Sequence, residues 1–269
     1  MTAESVRFVP LVKAYPTPSE RYGEAVCVAG ARIDDGPPRW MRLYPVPFRD
    51  LPDELQFSKY DVLELDVLPH SDWRPESHRP VVDTLRLVGH HDTKDAWRTR
   101  RQIVEPMLID SMCALRQRAE RDHTSLGAFR PHEVLDIVAS PEEGEWTDEQ
   151  LASLSRVNLF AQDRKPLRKV PWRFRYYYRC GGSCRGHEQS VIDWEIFATY
   201  FNARRSRGER AAVDAVRERW LGDLCGANKD TIFFIGNQRE APLGFLVLGV
   251  FWPPKQRPSQ QVEHLDLGL

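Results

Sequence analysis

The 269-residue sequence predicts an α+β fold: a small β-barrel-like front half, then a rear half that mixes helices with strands. Three observations predict it. Five short apolar runs in the first ninety residues are separated by strong turn signals. Helical periodicity appears only beyond them. A cysteine- and glycine-rich knuckle then ends a strand and is followed by two more helices and an apolar hairpin.

In the front half the apolar runs are Val6–Val12, Glu24–Ile33, Trp40–Tyr44, Asp61–Leu68 and Val81–Val88. Tyr15-Pro-Thr-Pro18, Asp34-Asp-Gly-Pro-Pro38 and Pro75 break them, and a short helix is expected at Pro52–Phe57. Five such strands fit an OB-like barrel or a plain antiparallel sheet. Residues 1–92 form this first unit.

Residues 93–160 read as a helical connector. From Asp95 to Arg121, Trp97, Val104, Leu108 and Leu115 recur at helical spacing, and Pro106 demands a kink or break. Arg98, Arg100, Arg101, Arg116, Arg118 and Arg121 decorate the other faces, as phosphate contacts or as a solvated surface. Phe129–Ala139 reads as a strand, and Thr147-Asp-Glu-Gln150 as a capping box opening a helix to about Arg156. Val157–Lys169 connects onward.

Residues 161–269 form the third unit. Trp172–Cys180 is extended, with Tyr176-Tyr-Tyr178 favouring strand. Asp193 caps a helix carrying Trp194, Phe197, Ala198 and Phe201 on one face. Arg204–Gly208 is a basic turn, and a second helix places Val213, Val216 and Trp220 inward before Cys225-Gly226. Thr231–Ile235 and Phe245–Phe251 form an apolar hairpin, and a polar tail starts at Pro253.

The formal net charge is −1 and 41% of residues are hydrophobic, an ordinary globular balance. No stretch approaches the roughly 20 apolar residues of a membrane span. The start, Met1-Thr-Ala-Glu-Ser, lacks signal-peptide character, so a cytoplasmic location is expected. Five cysteines at uneven spacing do not suggest a disulfide framework. Cys27 and Cys113 read as small buried hydrophobes.

Cys180-Gly-Gly-Ser-Cys184-Arg-Gly-His187 offers three metal ligands within eight residues. A tetrahedral Zn²⁺ needs a fourth, and Cys225 completes a Cys3His set; His90, His91 or His132 are alternatives to His187. Four protein ligands leave no open position, so the zinc is expected to be structural. Just before the knuckle, Arg164–Arg179 holds seven Arg/Lys, five aromatics and no acid. On a strand, Arg173, Arg175, Tyr177 and Arg179 share one face, with Trp172, Phe174, Tyr176 and Tyr178 on the other. Basic and aromatic residues together suit a nucleic acid, DNA or RNA, with Lys169, Arg204 and Arg205 assisting. An amphipathic strand with a solvated basic face shows the same alternation.

The carboxylates Asp61, Glu64 and Asp66, and Asp193 with Glu195, leave a metal-dependent nuclease as an alternative, although neither group completes a catalytic pattern. A protein-interaction subunit docking through Phe245–Trp252 or the tail is a third. The proline-stiffened loop Asp72–Pro80 is a further candidate ligand-reading surface.

Three sets of segments resemble a family of largely uncharacterised bacterial proteins. These are Glu24–Gly30 with Trp40–Leu51 and Arg74-Pro-Glu-Ser77; Tyr178–His187 with Asp193-Trp-Glu195; and Asp230–Asn237 with Phe245–Pro253. The resemblance implies a protein of mobile or defence-associated loci with an OB-type front half. It assigns no catalytic residue.

Overall fold

In the computed structural model, residues 2–19, 21–156 and 166–256 are described. The front half contains β1 (Glu4–Lys13), β2 (Thr17–Ser19), β3 (Gly23–Arg32), β4 (Arg39–Val46), β5 (Asp61–Pro69) and β6 (Ser77–His90). Their order is β1-β5-β6-β4-β3-β2, and β1 pairs with β3 as well as β5, so the sheet partly closes on itself. Every pairing is antiparallel except a short parallel one, where Arg42 and Leu43 of β4 meet Ser77 and His78 of β6. The closing seam has a steric requirement. A Cβ at Gly30 would stand 2.0 Å from the Val9 carbonyl oxygen, so only glycine lets β3 approach β1 there. Phe8, Val28, Leu43, Leu63 and Phe57 fill the interior. The expected helix at Pro52–Phe57 is instead two single turns, Phe48–Asp50 and Asp53–Leu55, because Pro47 and Pro52 hold the chain in separate short bends.

The long helix pattern divides into α1 (Lys94–Val104) and α2 (Met112–Asp122), joined by a tight turn at Glu105–Met107 that contains Pro106. The break falls where proline demands it. Two strands follow, β7 (Leu126–Phe129) and β8 (Glu133–Pro141), where one had been expected; Pro131 separates them. Thr147 and Gln150 exchange the two hydrogen bonds of a capping box at the start of α3 (Asp148–Arg156).

The rear half adds β9 (Trp172–Arg179), β10 (His187–Ser190), α4 (Trp194–Arg207), α5 (Glu209–Arg217), a wide turn at Glu218–Asp223, β11 (Ile232–Gln238) and β12 (Ala241–Phe251). Two three-stranded sheets result, β10-β9-β8 and β12-β11-β7. Trp220, Tyr176, Tyr200, Phe174 and Phe233 form their core with α4 and α5. Each such buried aromatic contributes roughly 1.5–3 kcal/mol through its apolar area. Phe245, Val247 and Phe251 of β12 are buried in the rear sheet, which corrects the reading of this strand as a docking surface.

A third cluster joins the halves: Val9, Leu11 and Tyr60 pack with Val104, Phe234 and Phe251. A buried ion pair crosses at the same place. The Lys59 ammonium lies 2.7 and 2.9 Å from the two oxygens of Asp193, whose Oδ1 also accepts from the Glu195 amide as the α4 cap. Burial alone would lower the Lys59 pKa, but the Asp193 and Glu195 carboxylates outweigh it and raise it. No helix among the described residues is long and apolar enough to cross a membrane.

Candidate metal centre and ligand cleft

The knuckle forms because glycine lets the chain reverse. Gly181, Gly182 and Gly186 have φ of 95°, 57° and 111°, which L side chains rarely adopt. The Cys184 amide donates to the Gly181 carbonyl at 3.2 Å, and β10 returns antiparallel to β9 with His187 opposite Tyr178. Cys180, Cys184 and His187 thereby converge. The Cys184 sulfur lies 3.3 Å from His187 Nε2.

The fourth member is Cys113, the second residue of α2, whose sulfur is 3.4 Å from the same nitrogen. Ligand atoms of Cys113, Cys180, Cys184 and His187 all lie within 4.8 Å of one another. A regular tetrahedron with metal–sulfur bonds of about 2.3 Å has edges of about 3.8 Å. The donor set and its spacing fit one tetrahedral ion. Among the described residues no other group of three or more Cys, His, Asp or Glu side chains meets this geometry.

Cys225 stands elsewhere. Its sulfur lies 3.3 Å from the Trp220 carbonyl oxygen and 3.9 Å from the Tyr176 hydroxyl, and burial pushes its thiol up to about 12. The expectation that it closes the site is corrected: the wide turn after α5 keeps it against the rear core. Cys113 is exposed, not a buried hydrophobe. The α2 pattern held the signal, since Met112, Leu115 and Ala119 face inward and leave position 113 turned outward. Of the alternative histidines, His132 packs beside Gly181 without joining the cluster, and His90 bonds Asp61.

The basic strand alternates as expected. Phe174, Tyr176 and Tyr178 are buried, while Arg173 and Arg179 are exposed. The outward cations, however, meet acids brought by neighbouring strands. Arg173 pairs with Glu142, Arg175 with Glu188 at 3.0 Å, and Arg179 with Glu133 at 3.5 Å. Tyr177 hydrogen-bonds Glu188, which raises its pKa. Arg204 pairs with Glu209 at 2.8 Å, Arg205 reaches Asn202 at 3.5 Å, and Lys169 donates to the Glu145 carbonyl at 2.7 Å. The face is charge-balanced. Arg101 is similarly committed to Asp230 at 2.6 Å, and Arg100 lies 4.0 Å over the Tyr60 ring. The nuclease carboxylates are engaged as well, Asp61 with His90 and Glu64 with Arg7.

A cleft of about 580 Å³ lies between the halves. Tyr15, Tyr22, Tyr44, Trp146, Trp172 and Phe197 contribute its aromatic walls, and Lys169, Arg21 and Arg239 line it together with Asp72, Glu142 and Glu240. Arg42, on β4, lines it and is 2% exposed. This guanidinium donates to Ser125 Oγ at 2.8 Å, to Ser77 Oγ at 3.4 Å and to the Ser125 carbonyl at 3.4 Å; among the described residues it forms no ion pair. Burial lowers its pKa.

The Asn237 amide donates to the same Ser125 carbonyl at 3.1 Å, which sets Asn237 beside Arg42. Arg74 donates to the Asn237 carbonyl at 2.9 Å and is fixed by Asp72. Glu76 accepts from the Ser125 hydroxyl at 2.7 Å and its amide at 2.9 Å. The expected loop Asp72–Pro80 is shorter, since Ser77–Pro80 open β6, and its remaining part, Asp72–Glu76, ties the front half to β7 and β11. Among the described residues, two buried polar atoms at the cleft have no partner, Asn237 Oδ1 and His70 Nδ1. Burial lowers the His70 pKa, keeping the imidazole neutral near pH 7. Sequence reading missed Arg42 and Asn237 as site residues, although both sit in segments that carry the family resemblance.

The chain belongs to the family described as Domain of unknown function (DUF8757), whose model matches residues 108–266. Residues 4–106 match a second, Domain of unknown function (DUF8758). No curated protein matches. Among solved structures, one described as "Structure of murine DNA binding protein bound with ds DNA" matches at 9% identity and a TM-score of 0.30, covering 95% of this chain and 98% of that one. A likeness that loose carries no argument about this chain.

Proposed function

We propose that this DUF8757 family member is a zinc-stapled nucleic-acid-binding protein without chemistry of its own, working within a bacterial nucleic-acid-processing or defence system. The bacterial and defence setting is supported by the sequence resemblance alone. Zinc is the metal that best suits three thiolates and an imidazole in a closed tetrahedron. With four protein ligands it has no position for water or substrate, so its work is to clamp α2 onto the β9–β10 knuckle. An OB-like reading of the front half is supported by the ring order β1-β3-β4-β6-β5 with its one parallel pairing.

The observation that carries the nucleic-acid reading is the cleft. Aromatic walls, a buried guanidinium that among the described residues bonds only neutral oxygens, and cations in the lining support contact with bases and phosphates. The outward face of β9, with its arginines paired, is a secondary contact in this reading. Fluorescence anisotropy with single- and double-stranded DNA and RNA, from low to high salt, tests it. Affinity that declines linearly in log–log form with salt is expected; absence of binding to all four at low salt overturns it.

A further inference from the structure

We propose that the cleft is a site for one unstacked nucleobase bearing a keto group, gripped by the aromatic walls and read by Arg42 and Asn237. The same chemistry is offered by a base within a strand and by a free nucleotide. The proposal rests on the nucleic-acid reading for the first source only.

The unmatched polar atoms define the ligand. Arginine only donates, and of the five N–H groups of Arg42 three have protein acceptors. Its two remaining N–H groups call for a carbonyl or anionic oxygen, although Glu76 and Asp72, reached through Ser125 and Ser77, already temper its charge. Asn237 is 5% exposed; its Nδ2 donates to the Pro242 carbonyl at 2.7 Å, which fixes the amide so that Oδ1 is the unsatisfied acceptor. Leaving such an atom bare costs about 1–3 kcal/mol, so a donor from the ligand is expected there. The Ser125 carbonyl receives both Arg42 and the Asn237 backbone, so the two residues that would supply donor and acceptor are held at one anchor. A lactam edge, carbonyl beside N–H, complements that pair. Guanine, uracil and thymine carry such an edge; adenine and cytosine place an amino group beside a ring nitrogen instead. His70, whose buried Nδ1 has no partner among the described residues, also lines the cleft.

The walls suit a flat heterocycle. Tyr22 and Tyr44 meet edge to face at 5.9 Å, and Tyr44 meets His70 similarly at 6.1 Å, which holds the rings upright. Glu142 and Glu240 also line the cleft, so its charge is mixed and no general anion trap is formed. A base is favoured over a bare phosphate.

Two assays decide it. Calorimetric titration with GMP, UMP, AMP and CMP is expected to show the keto nucleotides binding about tenfold tighter or more. Anisotropy with short oligo-dT, oligo-dA and oligo-dC is expected to give the same preference for dT. Tyr22→Ala, at a half-buried wall position, is expected to weaken binding of the preferred ligand about tenfold. Arg42→Lys is expected to abolish the preference, with a thermal melt confirming its fold. If Arg42→Lys does not fold, the nucleotide preference and Tyr22→Ala still decide. Strand binding with no base preference and no effect of Tyr22→Ala overturns the cleft while leaving the nucleic-acid reading intact. Nucleotide binding without strand binding upholds the cleft and sinks that reading. Binding to neither overturns both.

Discussion

Replacing Cys113 by serine separates the two ways of closing the metal site. Its sulfur lies 3.4 Å from His187 Nε2, and all four ligand atoms fall within 4.8 Å of one another, a spacing at which one ion could engage all four. Removing one thiolate leaves three ligands and an opening to water, since Cys113 is on the exposed side. Outer-shell substitutions already lower metal affinity about 10–100-fold, and loss of a direct ligand is expected to exceed that range. Cys225→Ser keeps a hydroxyl able to reach the Trp220 carbonyl now 3.3 Å from the sulfur, so its cost is about 1 kcal/mol. On a chain of this size that is a fall of about 2–4 °C in melting temperature. Metal content by atomic emission, followed by chelator competition, reads the difference. About one zinc per chain is expected in the parent and in Cys225→Ser, with little retained in Cys113→Ser against a competing chelator. Zinc lost from Cys225→Ser and kept by Cys113→Ser would refute the assignment.

Lys59→Met strands the Asp193 carboxylate, which is wholly buried, and is expected to cost about 3–5 kcal/mol by urea denaturation; a change under about 1 kcal/mol would deny the joint its importance. Asp230 lies at 2.7 Å from Arg130 and 2.6 Å from Arg101; burial would raise its carboxyl, but these partners prevail and hold it below the usual value. A lowered folded pKa means its stabilisation is present above the unfolded pKa, near 4, and is lost as pH falls below that. Asp230→Asn is therefore expected to flatten the acid limb of a stability–pH curve, seen in melts between about pH 2 and 5. Arg173→Ala with Arg179→Ala removes two exposed, ion-paired cations. Each is expected to change stability by no more than about 1 kcal/mol, and the pair, as a secondary contact, to lower the salt dependence of nucleic-acid binding only slightly. A large fall in that slope would restore the outer face of β9 as the main contact.

Local rules made much of the fold legible. Proline and glycine punctuation marked the front strands, Pro106 marked the helix break, and alternation along β9 assigned Phe174, Tyr176 and Tyr178 inward. Features set by long-range register were not legible. Whether Arg175 meets solvent or Glu188 depends on how β10 pairs with β9, and β10 itself is four polar residues with no strand signal. Asp193 was readable as a cap, but its partner Lys59 lies 134 residues away. Cys113 carried a clue only in its exposed helix position. The cleft was hidden because Arg42, Arg74 and Asn237 come from separate segments, each an ordinary strand or loop when read alone.

The metal cluster also sets a timetable for synthesis. Cys113 precedes His187 by 74 residues. At about 5–20 residues per second, Cys113 is made roughly 4–15 s before its last co-ligand. During that interval the Cys113 thiol lacks its complete ligand set. The Cys3His set is therefore whole only once the knuckle has been translated. Conditions that oxidise Cys113 in that interval would strike the growing chain before they reached the finished protein.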